Sequence, residues 1–142
     1  MKRTILTLLL FSLLLTGCSP LDDRMSKEDI FSYVSGNQEM ILSCITAKDF
    51  SPLSATFPED RIMVKDDHVD FDCGGKGFGS ATAYCGFFWS KEENLRAVWC
   101  APPESEVLSP QGNGYFWKET QGENTYYVEK ICDGFFYYES SF

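Results

Sequence analysis

Histidine is almost missing from this chain: His68 is the only one in 142 residues. Zinc sites and most acid–base centres rely on imidazole, so a single histidine leaves little room for either. No Cys-x-x-Cys occurs, and none of the cysteines stands in a histidine-containing cluster of zinc spacing, which argues against a structural metal. Basic residues are few as well, with 12 Lys and Arg against 21 Asp and Glu and a formal charge of −9. A polyanionic surface repels phosphate backbones, so no nucleic-acid partner is expected. Long apolar runs are absent beyond one at the start, Ile5 to Leu15, broken by Thr7 and Ser12. A spanning helix needs about 20 apolar residues, and this run ends well before that.

What is present begins with that same segment. Met1-Lys2-Arg3, the apolar run and Leu15-Thr16-Gly17-Cys18 form a charged n-region, a short h-region and a small-residue cleavage site. A removed signal peptide over residues 1–17 is expected. Leu15-Thr16-Gly17-Cys18 resembles the lipobox of bacterial lipoproteins. The resemblance implies a diacylglyceryl thioether on Cys18, cleavage before it by signal peptidase II, and acylation of the new amine by a palmitate-type chain. Two or three acyl chains on one residue anchor stably where a single chain would not. Residues 18–25 then read as the lipidated cysteine and its tether, and residues 26–142 as a single domain. The expected location is the cell membrane or outer membrane, lipid-anchored and facing outside the cytoplasm. Ser19 after the cysteine resembles the outer-membrane choice of Gram-negative cells. In a Gram-positive cell the same anchor would face the wall.

Removing Lys2 and Arg3 from the 12 basic residues leaves 10 against 21 acidic ones, a formal charge of −11 for the mature chain. Such a charge suits solubility first and a basic partner second. Five cysteines remain beyond Cys18: Cys44, Cys73, Cys85, Cys100 and Cys132. Export would place them in an oxidising space. The expected pairing joins Cys73 to Cys85 across a Gly-rich segment and Cys100 to Cys132, with Cys44 left free, although spacing alone does not determine connectivity.

Along the chain, Ile30, Val34, Ile41 and Ile45, with Asn37 on the same stripe, predict a helix from Ser26 to about Ala47. Ser26 and Asp29 resemble a capping box, and Gly36 weakens the middle by about 1 kcal/mol relative to Ala. After Arg61 the period changes to two. Strands are predicted at Ile62 to Val64, Val69 to Cys73, 82–90, Leu95 to Cys100, Tyr115 to Trp117, Thr125 to Cys132 and Phe135 to Tyr138. Asp133-Gly134 is the clearest hairpin turn. With two turn residues it places Cys132 opposite Phe135, Ile131 opposite Phe136, Lys130 opposite Tyr137 and Glu129 opposite Tyr138. The fold class expected is α+β, one N-terminal helix packed on an antiparallel meander of about six or seven strands.

Few segments suggest chemistry. Gly74-Gly75-Lys76-Gly77-Phe78-Gly79-Ser80 does not fit GxxxxGK[ST] and lies between two predicted strands, so it reads as a hairpin loop. Asp66, Asp67, Asp70 and Asp72 lack the distal Glu of a calcium loop and alternate with apolar residues as a solvated strand face does. His68 with Cys73 or Cys85 would make a thiol and its base, but no orienting third residue is identifiable. No hydrolase signature appears, no cofactor is expected, and the chain reads as a non-enzyme. The aromatic clusters at Phe87 to Trp89, Tyr115 to Trp117 and Phe135 to Tyr138 are dense. Most of these rings should be core, and Trp89, Trp117 and Tyr137 are the candidates for an exposed binding surface.

The stretches Phe71 to Gly75, Gly77 to Ser80, Tyr84 to Phe88, Gly122 to Tyr127, Glu129 to Tyr138 and Glu139 to Phe142 resemble small uncharacterised lipoproteins of anaerobic gut bacteria. That resemblance implies one compact domain and brings no activity with it. The functional expectation is a non-catalytic envelope module for a protein or cell-wall glycan. The alternative is an immunity-type lipoprotein that neutralises a basic toxin or lytic enzyme.

Overall fold

A computed structural model describes residues 24–78 and 81–142. The tether ahead of Arg24 and the lipidation site expected at Cys18 lie outside the described residues. The single long helix among the described residues, α1 (Lys27–Ala47), begins where the sequence predicts. Ser26 Oγ accepts from the Asp29 amide at 3.1 Å and donates to the Asp29 carboxylate at 2.7 Å, so two groups of the first turn are satisfied together. At the other end Lys48 takes a left-handed conformation, φ 54°, and its N–H closes the helix on Cys44 and Ile45. Asn37 leaves helical geometry (φ −126°, ψ 15°) and its side-chain amide donates to the Tyr33 carbonyl at 2.8 Å, which kinks the helix. Below the kink the stripe advances to Cys44, which is buried where Ile45 is only partly so. No described helix is long and apolar enough to cross a membrane.

Seven strands follow: β1 (Ile62–Val64), β2 (His68–Phe78), β3 (Ala81–Ser90), β4 (Ser109–Gln111), β5 (Gly114–Lys118), β6 (Thr125–Cys132) and β7 (Phe135–Ser141). They form one antiparallel sheet in the order β1-β2-β3-β7-β6-β5-β4, so the α+β class holds. The order is two meanders joined where β3 meets β7. Hairpins link every other neighbouring pair, and the chain between β3 and β4 crosses one face of the sheet to start again at the far edge.

The strand predicted at Leu95 to Cys100 is absent, because its polar groups are used locally. Asn94 Oδ1 accepts from the Arg96 amide at 2.9 Å, and the Arg96 guanidinium donates to the carbonyls of Pro102 (3.1 Å), Pro103 (2.9 Å) and Glu106 (2.7 Å). Its apolar residues cover the sheet instead of extending it. Ala97, Val98 and Cys100 pack on Phe88, Tyr126, Val128, Phe136 and Tyr138. The Gly-rich segment from Gly74 to Phe78 is likewise strand and not loop. β2 continues through it to Phe78, with a register shift between Asp72 and Gly75, and the ladder reaches Phe78 opposite Ala81. A Cβ on Gly77 would fall 2.1 Å from the Ala81 carbonyl oxygen, so strand closeness and not ligand binding demands glycine there. The polar stretch around Pro110 forms the edge strand β4, where proline's missing N–H costs nothing, and Gly112 (φ 60°) turns the chain into β5.

A second core lies on the helix side. Ile30, Val34, Ile41 and Cys44 of α1 pack with Leu53 and Phe57 onto Val69, Phe71, Phe87, Phe135 and Tyr137. Phe71 and Phe87 stack across β2 and β3 with centroids 4.5 Å apart. The sheet is therefore buried on both faces, by the helix on one and by the long crossover on the other.

Candidate functional site

The last hairpin decides what the helix face presents. Cys132 stands opposite Phe135 as expected, but Lys130 pairs with Phe136 and Glu129 with Tyr137, so the predicted register is off by one residue over most of β6. Ile131 is the extra residue of a bulge. Side chains alternate along a strand, so this one residue moves Tyr127 and Glu129 from the crossover face to the helix face. There they meet Tyr137 and Glu139. Tyr127 lies opposite Glu139 and Glu129 opposite Tyr137, which makes a checkerboard of two phenols and two carboxylates.

Each phenol donates to the carboxylate two residues along its own strand. Tyr127 Oη reaches Glu129 Oε2 at 2.6 Å, and Tyr137 Oη makes a short bond to Glu139 Oε1. Tyr127 has the room because residue 114 is glycine, where a Cβ would lie 2.9 Å from the Tyr127 hydroxyl. Lys27, in the first turn of α1, closes the group by pairing with Glu129 and lying over the rings of Phe31 (5.5 Å), Tyr127 (5.0 Å) and Tyr137 (5.3 Å). Burial works against the Lys27 ammonium, but the Glu129 carboxylate outweighs it and raises the lysine pKa. Burial likewise opposes the Glu129 carboxylate, and the Lys27 and Tyr127 hydrogen bonds overcome it and lower its pKa.

Beside this group α1 leaves part of the sheet uncovered. The open strip is a cleft of about 520 Å³ whose floor runs from Phe116 through Tyr127 to Glu139, three residues in register on β5, β6 and β7. Its wall at one end is the hydroxyl pair Thr125 and Ser141, with oxygens 2.6 Å apart, and at the other the β4–β5 turn with Gln111 and Gly112. Arg24 and Lys27 form the helix side. Opposite charges are thus balanced around a floor that is part aromatic and part polar.

The residues singled out from sequence fall elsewhere. Tyr137 is core, 1 % exposed, and Trp89 packs partly buried against the same helix-side core. Trp117 lies on the crossover face, where its indole N–H donates to Glu106 Oε2 at 3.1 Å. These three rings do not share a surface, because Tyr137 is sealed inside the helix-side core that Trp89 packs against and Trp117 lies across the sheet from both. The exposed aromatic group on the crossover side is Trp99, half exposed, stacked on Phe142 at 5.5 Å and edge-on to Tyr84 at 5.6 Å.

All five described cysteines are thiols in this structure. Cys73 and Cys85 are both buried in the helix-side core, on facing strands at the β2 bulge. Cys100 belongs to the crossover-side core and Cys132 packs against the helix-side one, so the sheet stands between them and the expected Cys100–Cys132 pairing is corrected. Cys44 is buried on α1.

His68 hydrogen-bonds Asp67 at 2.7 Å at the start of β2, far along the strand from Cys73, so no thiol–imidazole pair is assembled. The aspartates are also divided. Asp66 and Asp67 are exposed, Asp72 caps the Gly74 amide at 2.8 Å, and Asp70 is 3 % exposed on the crossover side. No group of three metal-ligating acids, histidines or cysteines occurs among the described residues. The Asp70 carboxyl is pushed up to about 7, by burial first, with Asp72 adding to it and the Tyr138 hydroxyl opposing.

The cleft residues were not singled out from sequence, although one signal was legible. Tyr127-Val128-Glu129 and Tyr137-Tyr138-Glu139 repeat a Tyr-x-Glu spacing that puts each pair on one face of a strand. What was not legible was the bulge that puts both pairs on the same face. Comparison with protein-family models, with curated proteins and with solved structures finds no match to this chain.

Proposed function

We propose that this chain is a lipid-anchored protein of the cell envelope whose α+β domain binds a protein or glycan partner without catalysis. The observation that carries the reading is the cleft beside Arg24 and Lys27, which is open, lined by balanced charges and floored by rings held in a hydrogen-bonded lattice. Preformed concave sites of this kind are where ligands settle. Arg24 belongs to the expected tether over residues 18–25, so one side of the cleft is six residues along the chain from the expected anchor on Cys18.

Hydrolysis is a poor fit to the same geometry. Two-carboxylate chemistry needs one acid held protonated near neutral pH. Lys27 instead keeps Glu129 ionised, and the one carboxyl that is strongly raised among the described residues, Asp70, is buried on the other face.

The test is recovery of partners from envelope extracts by the full chain at low and high salt, beside co-sedimentation with purified wall glycan. Salt-indifferent glycan binding or a salt-resistant protein partner supports the reading. A basic protein held only at low salt points to the toxin-neutralising alternative. Glycan turnover by the chain would overturn the non-catalytic assignment.

A further inference from the structure

We propose that the cleft takes an uncharged saccharide, stacked on Phe116 and Tyr127 with its hydroxyls held by Glu139, Gln111 and the Thr125–Ser141 pair. This rests on the binding-module reading above and narrows it to one ligand class.

Charge is the first argument. An anionic ligand would meet the Glu139 carboxylate and a cationic one would meet Arg24 and Lys27, which line the same space, while Glu129, buried behind Lys27, neutralises one of the two cations. The balanced set favours a ligand with no net charge but many hydroxyls. Shape is the second. Phe116 and Tyr127 are cross-strand partners on the cleft floor and both are partly exposed, so they offer apolar surface of the kind that the C–H face of a pyranose covers. The cleft volume of about 520 Å³ lies within the roughly 300–1,000 Å³ of small-ligand sites.

Hydrogen-bond capacity is the third. Glu139 uses one oxygen for Tyr137 and keeps acceptor sites, since an ionised carboxylate offers about four. The Gln111 amide both donates and accepts, and of the two hydroxyls joined between Thr125 and Ser141 one proton remains to be given. Sugar hydroxyls both donate and accept, so they match this mixed set. A purely apolar ligand would leave it unpaired.

The experiment is calorimetric titration of the full chain, in a detergent without a sugar headgroup, with three probes: the trimer of N-acetylglucosamine and a maltotriose, both uncharged, and a wall-derived N-acetylglucosamine–N-acetylmuramic acid disaccharide, whose lactyl carboxylate makes it the anionic control. Binding of at least one uncharged probe is expected, changed little between low and high salt, and binding of the anionic disaccharide alone would overturn the proposal. Phe116→Ala should weaken it about tenfold or more, and Gln111→Ala, an exposed change that leaves the core alone, several-fold. Trp99→Ala, on the crossover side, should leave affinity unchanged. The N-acetylated probes against maltotriose separate wall glycan from other polysaccharide. If no probe binds while the chain still recovers an envelope protein, the saccharide assignment is overturned and the binding-module reading survives. If nothing is recovered either, both fall. Saccharide binding that survives both Phe116→Ala and Gln111→Ala but is lost in Trp99→Ala would also overturn the assignment.

Discussion

Tyr127 of β6 stands opposite Glu139 of β7 while donating to Glu129 on its own strand, and Lys27 pairs with that Glu129 carboxylate. Removing the lysine leaves Glu129, which is 7 % exposed, with a carboxylate and no cation. Lys27→Ala should therefore cost about 1–2 kcal/mol, less than a fully buried pair because Lys27 is itself 36 % exposed. The folded pKa of Glu129 lies below its usual value, so this contribution is present above that usual value and fades as pH falls through the folded one. Urea midpoints of wild type and variant should converge in acid, and equal midpoints at pH 7 would refute the pairing.

Asp70 behaves in the opposite sense. Its folded pKa of about 7 is raised above the ordinary 3.8, so the folded state holds its proton more tightly and stability falls as pH climbs from about 4 to 7. Asp70 Oδ1 is buried without a hydrogen-bond partner among the described residues, and what acts on the carboxyl is burial, the Tyr138 hydroxyl and Asp72, none of them a cation. Asp70→Asn should raise stability at pH 8 by an amount on the order of 2–4 kcal/mol and change it little at pH 4. Denaturant midpoints at the two pH values check this, and a variant less stable at pH 8 would contradict it.

Gly86 is where Tyr138 crosses β3. A Cβ there would fall 2.3 Å from the Phe71 carbonyl oxygen and 2.8 Å from the Tyr138 hydroxyl, and neither can withdraw from a packed sheet. Gly86→Ala should cost about 1–3 kcal/mol by overpacking, read as a lower urea midpoint at unchanged slope.

The turn into β7 rests on Gly134, with φ 76° and a Cβ position 2.9 Å from Trp89 Nε1. Gly134→Val combines left-handed strain of about 1–3 kcal/mol with that clash, so the melting temperature should fall by several degrees or more. An unchanged melting temperature would count against the turn.

Refolding the reduced chain in a glutathione redox buffer should join Cys73 to Cys85, with loss of two hydrogens from the protein as glutathione disulfide is reduced. Facing strands bring cysteine Cα atoms within the bridging range of about 4.4–6.8 Å, whereas opposite faces of a sheet do not. Peptide mapping should find that link and no Cys100–Cys132 peptide. The reverse pattern would contradict the placement of the two cores.

Much of the architecture followed from local rules. The Ser26 cap, the four-and-three spacing from Ile30 to Ile41, the alternation at Val69 to Phe71 and the Asp-Gly turn each depend on residues close in sequence, and each appears where it was read. Leu95 to Cys100 was misread because an apolar run looks the same whether it pairs as a strand or lies across one. Only the carbonyls gathered by Arg96 distinguish the two. The aromatic surface expected at Trp89, Trp117 and Tyr137 does not form, since the first and last belong to the helix-side core and Trp117 to the other face, and alternation in sequence does not tell which face is covered.

The sequence by itself determined the α+β class, the helix and its cap, most of the strands and the acidic charge, because periodicity, capping and turn chemistry act over a few residues. Tertiary structure alone decided which strands are neighbours, which cysteines face each other and what lines the cleft. The deciding feature for the cleft is the bulge at Ile131. A one-residue slip inverts every side chain that follows it along the strand, and whether the chain takes that slip depends on how both faces of the sheet are buried at once.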